Sequence, residues 1–328
     1  MNIKPNQPTP ARELKKFSDP DRTAKGEVRA SVRLNKLETL WFNTGTLCNI
    51  ACTHCYIEST PKNDRLEYIT APEVAAFLDE IGSDNLGTRE IGFTGGEPFM
   101  NPDMITMTED ALSRGFNVLI LSNAMQPMQR KKIKSELIRL NELYHDRLTL
   151  RVSLDHFTKK LHEEERGAKT WDIAIRGINW LAENGFKTAI AGRSIWGEDL
   201  EQAGQGYAHL IATHNWPINP ASPNELVVFP EMDLNADVPE ITTACWDILN
   251  VDPDEIMCAK SRMIVKRKGA DAPTVIPCTL IPYDEEFEMG QSLNEAASTS
   301  GKMFDKGSVK LCHPHCAKFC VLGGGSCS

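Results

Sequence analysis

From Leu37 to about residue 235 the chain alternates between two hydrophobic periods. Short apolar runs, LETLWFNT, REIGFTGG, NVLILSNA, RLTLRVSLD, KTAIAGRSI and ELVVFPEMD, have the length and composition of buried strands. Between them lie segments with apolar residues at helical spacing, at 71–83, 102–116, 129–144, 170–186 and 201–215. Pro72 suits a first helical turn, and Gly115 suits the end of a helix. Six strand–helix units at this spacing predict an α/β protein with a parallel sheet and helices outside it, a partial (β/α)6 TIM-like barrel. Functional groups are then expected at the C-terminal ends of the strands.

The rhythm divides the chain into three. Residues 1–36 read as a partly flexible N-terminal extension, 37–235 as the barrel, and 236–328 as a second module. Seven of the ten cysteines fall in the last 84 residues, which marks that module as cysteine-rich. A net charge of −9 argues against a broad nucleic-acid footprint, though not against a local basic pocket. The N-terminus lacks the apolar core of a signal peptide, and no run of about 18 apolar residues predicts a membrane span. The expected compartment is the cytoplasm, where thiols stay reduced, so ten cysteines point to metal or iron–sulfur ligation rather than disulfides.

The chemistry concentrates at strand ends. TLCNIACTHCYIES, residues 46–59, places Cys48, Cys52 and Cys55 on one loop in a Cys-x3-Cys-x2-Cys spacing. Thiolates hold iron–sulfur clusters, and three ligands on a four-iron cubane leave one iron open for chemistry. A closed site completed by a distant cysteine, with zinc or iron–sulfur, is the other reading of that spacing. Gly95, Gly96, Glu97 and Pro98 end the second strand, where glycines permit close backbone approach to a ligand and a carboxylate can accept from an ammonium group. Ser122 and Asn123 end the third strand, Ser153 and Asp155 the fourth, and Arg193 the fifth. Each also has a bland reading, as turn former, helix cap or surface ion pair.

CNIACTHC followed some forty residues later by TGGEP resembles the radical S-adenosylmethionine (radical SAM) superfamily, over roughly residues 37–235. The resemblance implies a [4Fe–4S] cluster on Cys48, Cys52 and Cys55. It also implies S-adenosylmethionine chelating the open iron, and a 5′-deoxyadenosyl radical that takes a hydrogen atom from an unactivated C–H bond. Gly95, Gly96 and Glu97 would bind the amino group, Ser122 and Asn123 the carboxylate, and Ser153 and Asp155 the ribose. Independently of the resemblance, the Arg193 guanidinium after a buried strand suits a bidentate carboxylate contact, with a surface salt bridge as the other reading. His54 stands where the family usually has an aromatic residue beside the third cysteine.

The ending LCHPHCAKFCVLGGGSCS resembles the SPASM and twitch extensions that carry auxiliary clusters, without the Cys-x2-Cys-x5-Cys core of a two-cluster SPASM module. One auxiliary [4Fe–4S] cluster is expected on Cys278, Cys316, Cys320 and Cys327, with Cys258 and Cys312 in reserve; structural zinc and free buried cysteines are the alternatives. The implied activity is a net oxidation or bond formation on a small metabolite or a peptide, fed by an external reductant such as flavodoxin or ferredoxin. The lack of a winged-helix peptide-binding segment tilts this towards a small molecule or a peptide brought by a separate partner. Membrane association is not expected, and nucleic acid is unlikely on charge. Trp196, Glu231, Tyr283 and His156 are candidate pocket residues. A non-catalytic iron–sulfur or zinc protein is the alternative of a different class.

Overall fold

The structure is a computed structural model that describes residues 15–84, 86–230 and 237–323. The six apolar runs form strands β1 (Thr39–Asn43), β2 (Glu90–Thr94), β3 (Asn117–Ser122), β4 (Leu148–Ser153), β5 (Lys187–Ser194) and β6 (Leu226–Pro230). Each pairs in parallel with the next. Two further strands come from beyond residue 235. β7 (Ser261–Val265) lies parallel beside β1, and β8 (Thr274–Ile276) runs antiparallel on β7. The sheet order is therefore β6-β5-β4-β3-β2-β1-β7-β8, an α/β sheet of the partial-barrel kind.

The periodic segments become helices α1 (Ala71–Asp84), α2 (Met104–Ser113), α3 (Lys131–Tyr144), α5 (Thr170–Glu183) and α6 (Leu200–His214), and a helix unforeseen from periodicity, α4 (Lys159–Arg166), follows β4. Gly115, at φ +95°, ends α2 and donates its amide to Leu112. Asp199 caps α6 through reciprocal bonds with Gln202. Alternation along β1 separates two cores. Leu40 and Phe42 pack with Val74, Phe77 and Leu78 under the helices. Trp41 points to the other face, with Leu119, Met263, Val265 and Ile276 inside the sheet's curve. The described part of the N-terminal extension is tied to the tail, where Ser31–Val32 pairs with Ser308–Lys310. The buried ion pair Arg29–Glu240 (2.5 Å) reinforces that tie. No described helix is long and apolar enough to cross a membrane.

Gly92, in the middle of β2, makes room for Trp41: a Cβ there would lie 2.3 Å from the indole ring. Gly92→Ala should lower stability by about 1–3 kcal/mol through overpacking. An unchanged midpoint in chemical denaturation would show instead that the Trp41 ring can move aside.

Candidate active site

The cysteine loop leaves β1 and is fastened by backbone bonds at both ends. Thr46 donates to Leu66 (3.1 Å) and Cys48 to Thr60 (3.1 Å). The turn after β2 closes on the start of the loop: Gly96 N–H donates to Gly45 O (2.8 Å) and Glu97 N–H to Leu47 O (3.1 Å). Only glycine fits this contact. A Cβ on Gly96 would sit 2.1 Å from Leu47 O, and one on Gly95 (φ +140°) would sit 2.5 Å from Gly45 O. Close approach was expected towards a ligand; its first use is to seat the cysteine loop. One cavity is then lined by Cys48, Cys52 and Cys55 together with Gly95, Gly96, Ser122, Asn123, Ser153, Asp155 and Arg193.

Glu97 and His54 lie behind or outside that cavity wall. Glu97 is buried, and its carboxylate accepts from Ser122 Oγ (2.9 Å), Asn123 N (2.9 Å) and Phe99 N (3.3 Å), locking the end of β2 to the end of β3. Burial pushes its carboxyl up to about 7, against the pull of those three donors. Asn123 passes the constraint on, donating to Asn49 (2.9 Å) with its amide nitrogen 3.9 Å from Cys48 Sγ. His54 turns to Glu165 instead: its Nδ1 lies 2.7 Å from Oε2, and its amide donates to Oε1 (2.8 Å). Arg193 Nη1 donates to the same carboxylate (3.1 Å) and to His54 O (2.9 Å). Asp155 accepts two bonds from Arg166 (2.6 and 3.1 Å). Burial alone would raise the Asp155 carboxyl, but the Arg166 guanidinium outweighs it and holds the group below the usual range. Burial also pushes the Cys48 thiol up to about 12 and that of Cys52 up to about 11, so a metal held there would have to displace their protons.

Sequence reasoning missed Arg166, Phe229, Leu280 and Phe319, which all line the cavity, and Glu165, which anchors it. Of the candidate pocket residues, Trp196, His156 and Tyr283 do not line it, and Glu231 lies outside the described residues. His156 is held by Glu198 (2.6 Å), with Trp196 packed edge-on against its ring. Tyr283 donates its hydroxyl to Ile57 O (2.6 Å), so it steadies the cysteine loop from the far side.

A second cavity is lined by Cys258, Cys278, Cys316 and Cys320, with His315 and the apolar side chains of Ile256, Met257, Phe287, Val309 and Leu311. Cys316 and Cys320 lie one turn apart on a π-helical segment, Cys316–Val321. Cys258, expected only in reserve, thus stands beside three of the preferred ligands, and Cys327 lies outside the described residues. Cys312 points elsewhere, its Sγ 3.4 and 3.5 Å from the carbonyls of Phe17 and Asp19. Burial pushes Cys258 up to about 11 and Cys316 up to about 12. Among the described residues, no three His, Cys, Asp or Glu side chains converge as tightly as a single metal ion needs. Cubane ligands stand further apart because the cluster fills the space between them, and an all-thiol donor set suits iron–sulfur chemistry. The cavities are neighbours: Leu280 and Phe319 line the first, while Cys278, Ile281 and Cys320 line the second.

Fold and cavity define a partial α/β barrel with polar groups gathered in one cavity at its strand ends. Residues 42–196 match the Radical SAM superfamily, and the chain carries a radical SAM domain. Over 175 residues it is 25% identical to the antilisterial bacteriocin subtilosin biosynthesis protein AlbA of Bacillus subtilis, covering 52% of this chain and 37% of that protein. Over 157 residues it is 27% identical to the Fe-coproporphyrin III synthase of Methanosarcina barkeri, covering 48% and 37%. The matches thus span little more than a third of these relatives' length. In fold the chain resembles Streptococcus suis SuiB bound to S-adenosylmethionine, with a TM-score of 0.57 and 14% identity, over 78% of this chain and 63% of that one.

Glu165 has 1% and Arg193 11% of its side chain exposed, so their ion pair is largely dry. Glu165→Ala strands the guanidinium and frees the His54 amide and ring, while Thr53 keeps its bond to the residue-165 backbone carbonyl. It should cost about 3 kcal/mol in urea denaturation. The same variant should retain less iron than the parent after desalting; equal iron retention would mean that the loop holds its place without this anchor.

Proposed function

We propose that this chain is a radical SAM enzyme whose first cluster is held by Cys48, Cys52 and Cys55. The observation that carries the reading is the meeting of those three thiols, from a single loop, with the polar ends of β2, β3, β4 and β5 in one cavity. When bound, the cluster and S-adenosylmethionine supply a 5′-deoxyadenosyl radical able to take hydrogen from an unactivated C–H bond. The chain's own residues do the rest. Gly95, Gly96, Ser122 and Asn123 face the space for the methionine end, and Ser153 and Asp155 that for the ribose. Arg193 Nε has no hydrogen-bond partner within the described protein and is buried, so a carboxylate in the cavity would satisfy it. Glu97 and Glu165 position these groups without facing the cavity.

Tyr56, Leu121, Phe229, Leu280 and Phe319 give the cavity an apolar wall that excludes water and suits the hydrocarbon part of a substrate. A peptide side chain fits this wall. It is also favoured by the likeness to AlbA, named for bacteriocin biosynthesis, and to SuiB, captured with its precursor peptide SuiA. A small metabolite, in keeping with the likeness to a coproporphyrin synthase, is the second reading. The auxiliary [4Fe–4S] cluster sits on Cys258, Cys278, Cys316 and Cys320. The thin partition between the cavities suits it to accept the electron left on the substrate and so complete a net oxidation. An external one-electron donor of the flavodoxin or ferredoxin kind recharges the first cluster.

Anaerobically reconstituted protein should bind about eight irons per chain, as two cubanes require. With S-adenosylmethionine and dithionite it should release 5′-deoxyadenosine; Cys48→Ala should abolish that release, and a variant that still releases it sinks the assignment. Cys320→Ala should remove about half the iron. If the iron of the parent is already about four, the auxiliary cluster falls and the radical SAM reading stands.

A further inference from the structure

Arg262 lies on β7, four residues after Cys258, and is 2% exposed. Its guanidinium donates to three backbone carbonyls, those of Cys258 (2.6 Å), Ser261 (2.7 Å) and Gly307 (3.4 Å). Among the described residues no carboxylate lies within ion-pair distance of it. Arg29, buried to the same degree, has Glu240, and the largely buried Arg166 and Arg193 have Asp155 and Glu165. An unpaired buried cation is costly, since carbonyl dipoles return only part of the lost hydration. The acidic groups close enough to act on Arg262 are the thiols of Cys258 and Cys278, both walls of the second cavity.

We propose that Arg262 is the built-in counter-cation of a thiolate-ligated cluster in the second cavity, a positioning and potential-setting residue rather than a ligand. The inference rests on the auxiliary-cluster reading above. Four cysteinates on a [4Fe–4S] core leave a net negative charge, which deepens by one unit when the cluster takes an electron. A fixed cation in a low-dielectric surround stabilises the reduced form more than the oxidised one, and so raises the potential. That direction suits a cluster that must accept an electron from the substrate. The three carbonyl bonds hold the guanidinium in place, and those to Cys258 and Ser261 also cap the short helix Met257–Lys260, which carries Cys258.

A role confined to capping predicts a different outcome from a role in charge balance. The test uses the full chain with Cys48, Cys52 and Cys55 replaced by Ala, so that the electron paramagnetic resonance signal comes from the second cluster alone. In that background Arg262→Met should shift the cluster's midpoint potential to more negative values, and Arg262→Lys should restore most of it. An Arg262→Met potential equal to the parent's overturns the proposal. So does loss of iron from the Met and Lys variants alike, which would make the guanidinium a packing element. Loss from Met with retention in Lys supports it, because the charge is what the two variants do not share. Absence of any cluster in the triple-Ala parent defeats the auxiliary-cluster reading itself, an outcome distinct from failure of the Arg262 assignment.

Discussion

The cavity depends on one backbone contact, the closure of the Gly95–Gly96 turn onto the first residues of the cysteine loop. Gly96 N–H to Gly45 O and Glu97 N–H to Leu47 O are ordinary hydrogen bonds, but they form only because no Cβ intervenes. This contact sets the distance between the β1 loop and the β2 end, and through it the position of Cys48 relative to Asn123. Glu97 extends the same constraint sideways, since its buried carboxylate is satisfied by donors at the end of β3. A short run of residues therefore positions three strand ends at once. The expense is a carboxylate whose ionised form is disfavoured by burial.

The outer edge of the loop is held by charge. Glu165 gathers the His54 ring, the His54 amide and the Arg193 guanidinium, while Asp155 gathers Arg166. Both carboxylates are almost fully buried, and each is matched by an arginine, so the four side chains contribute no net charge to the cavity. Such pairs add little to stability as replacements for apolar packing, but breaking one is expensive, and that asymmetry makes them good geometric clamps.

Features with a local signature were legible from the chain. The three-cysteine spacing, the six apolar runs and five of the helices are all visible within windows of a few residues, because period and spacing are local properties. Helix α4 was not, since KKLHEEER is short and almost wholly charged and its apolar stripe is too slight to register. β7 and β8 read as part of a separate tail because no helix-spaced segment joins them to the barrel, although SRMIV is a strand in composition. Glu165 was missed because its partners lie 111 and 28 residues away, and nothing in LHEEER distinguishes it from its two neighbouring glutamates. Leu280 and Phe319 were overshadowed by the cysteines beside them. Cys258, held in reserve on spacing, lines the second cavity from the short helix Met257–Lys260, a placement no local window of sequence reveals, while Cys327 lies outside the described residues.

The two cavities differ in how they meet negative charge. At the first, Arg166 and Arg193 are already neutralised by Asp155 and Glu165, so three cysteinates there would find no surplus cation among the arginines that line the cavity. The balancing charge has to arrive with whatever enters the cavity, and a sulfonium with an adjacent ammonium group is well matched to that demand. At the second, the cation is built in: Arg262 is fixed by backbone carbonyls and has no carboxylate partner among the described residues. On the proposed reading the first site awaits a charged cosubstrate and the second carries its counter-ion within the fold, and the two call for opposite arrangements of arginine: paired beside the first cavity, without a carboxylate among the described residues beside the second.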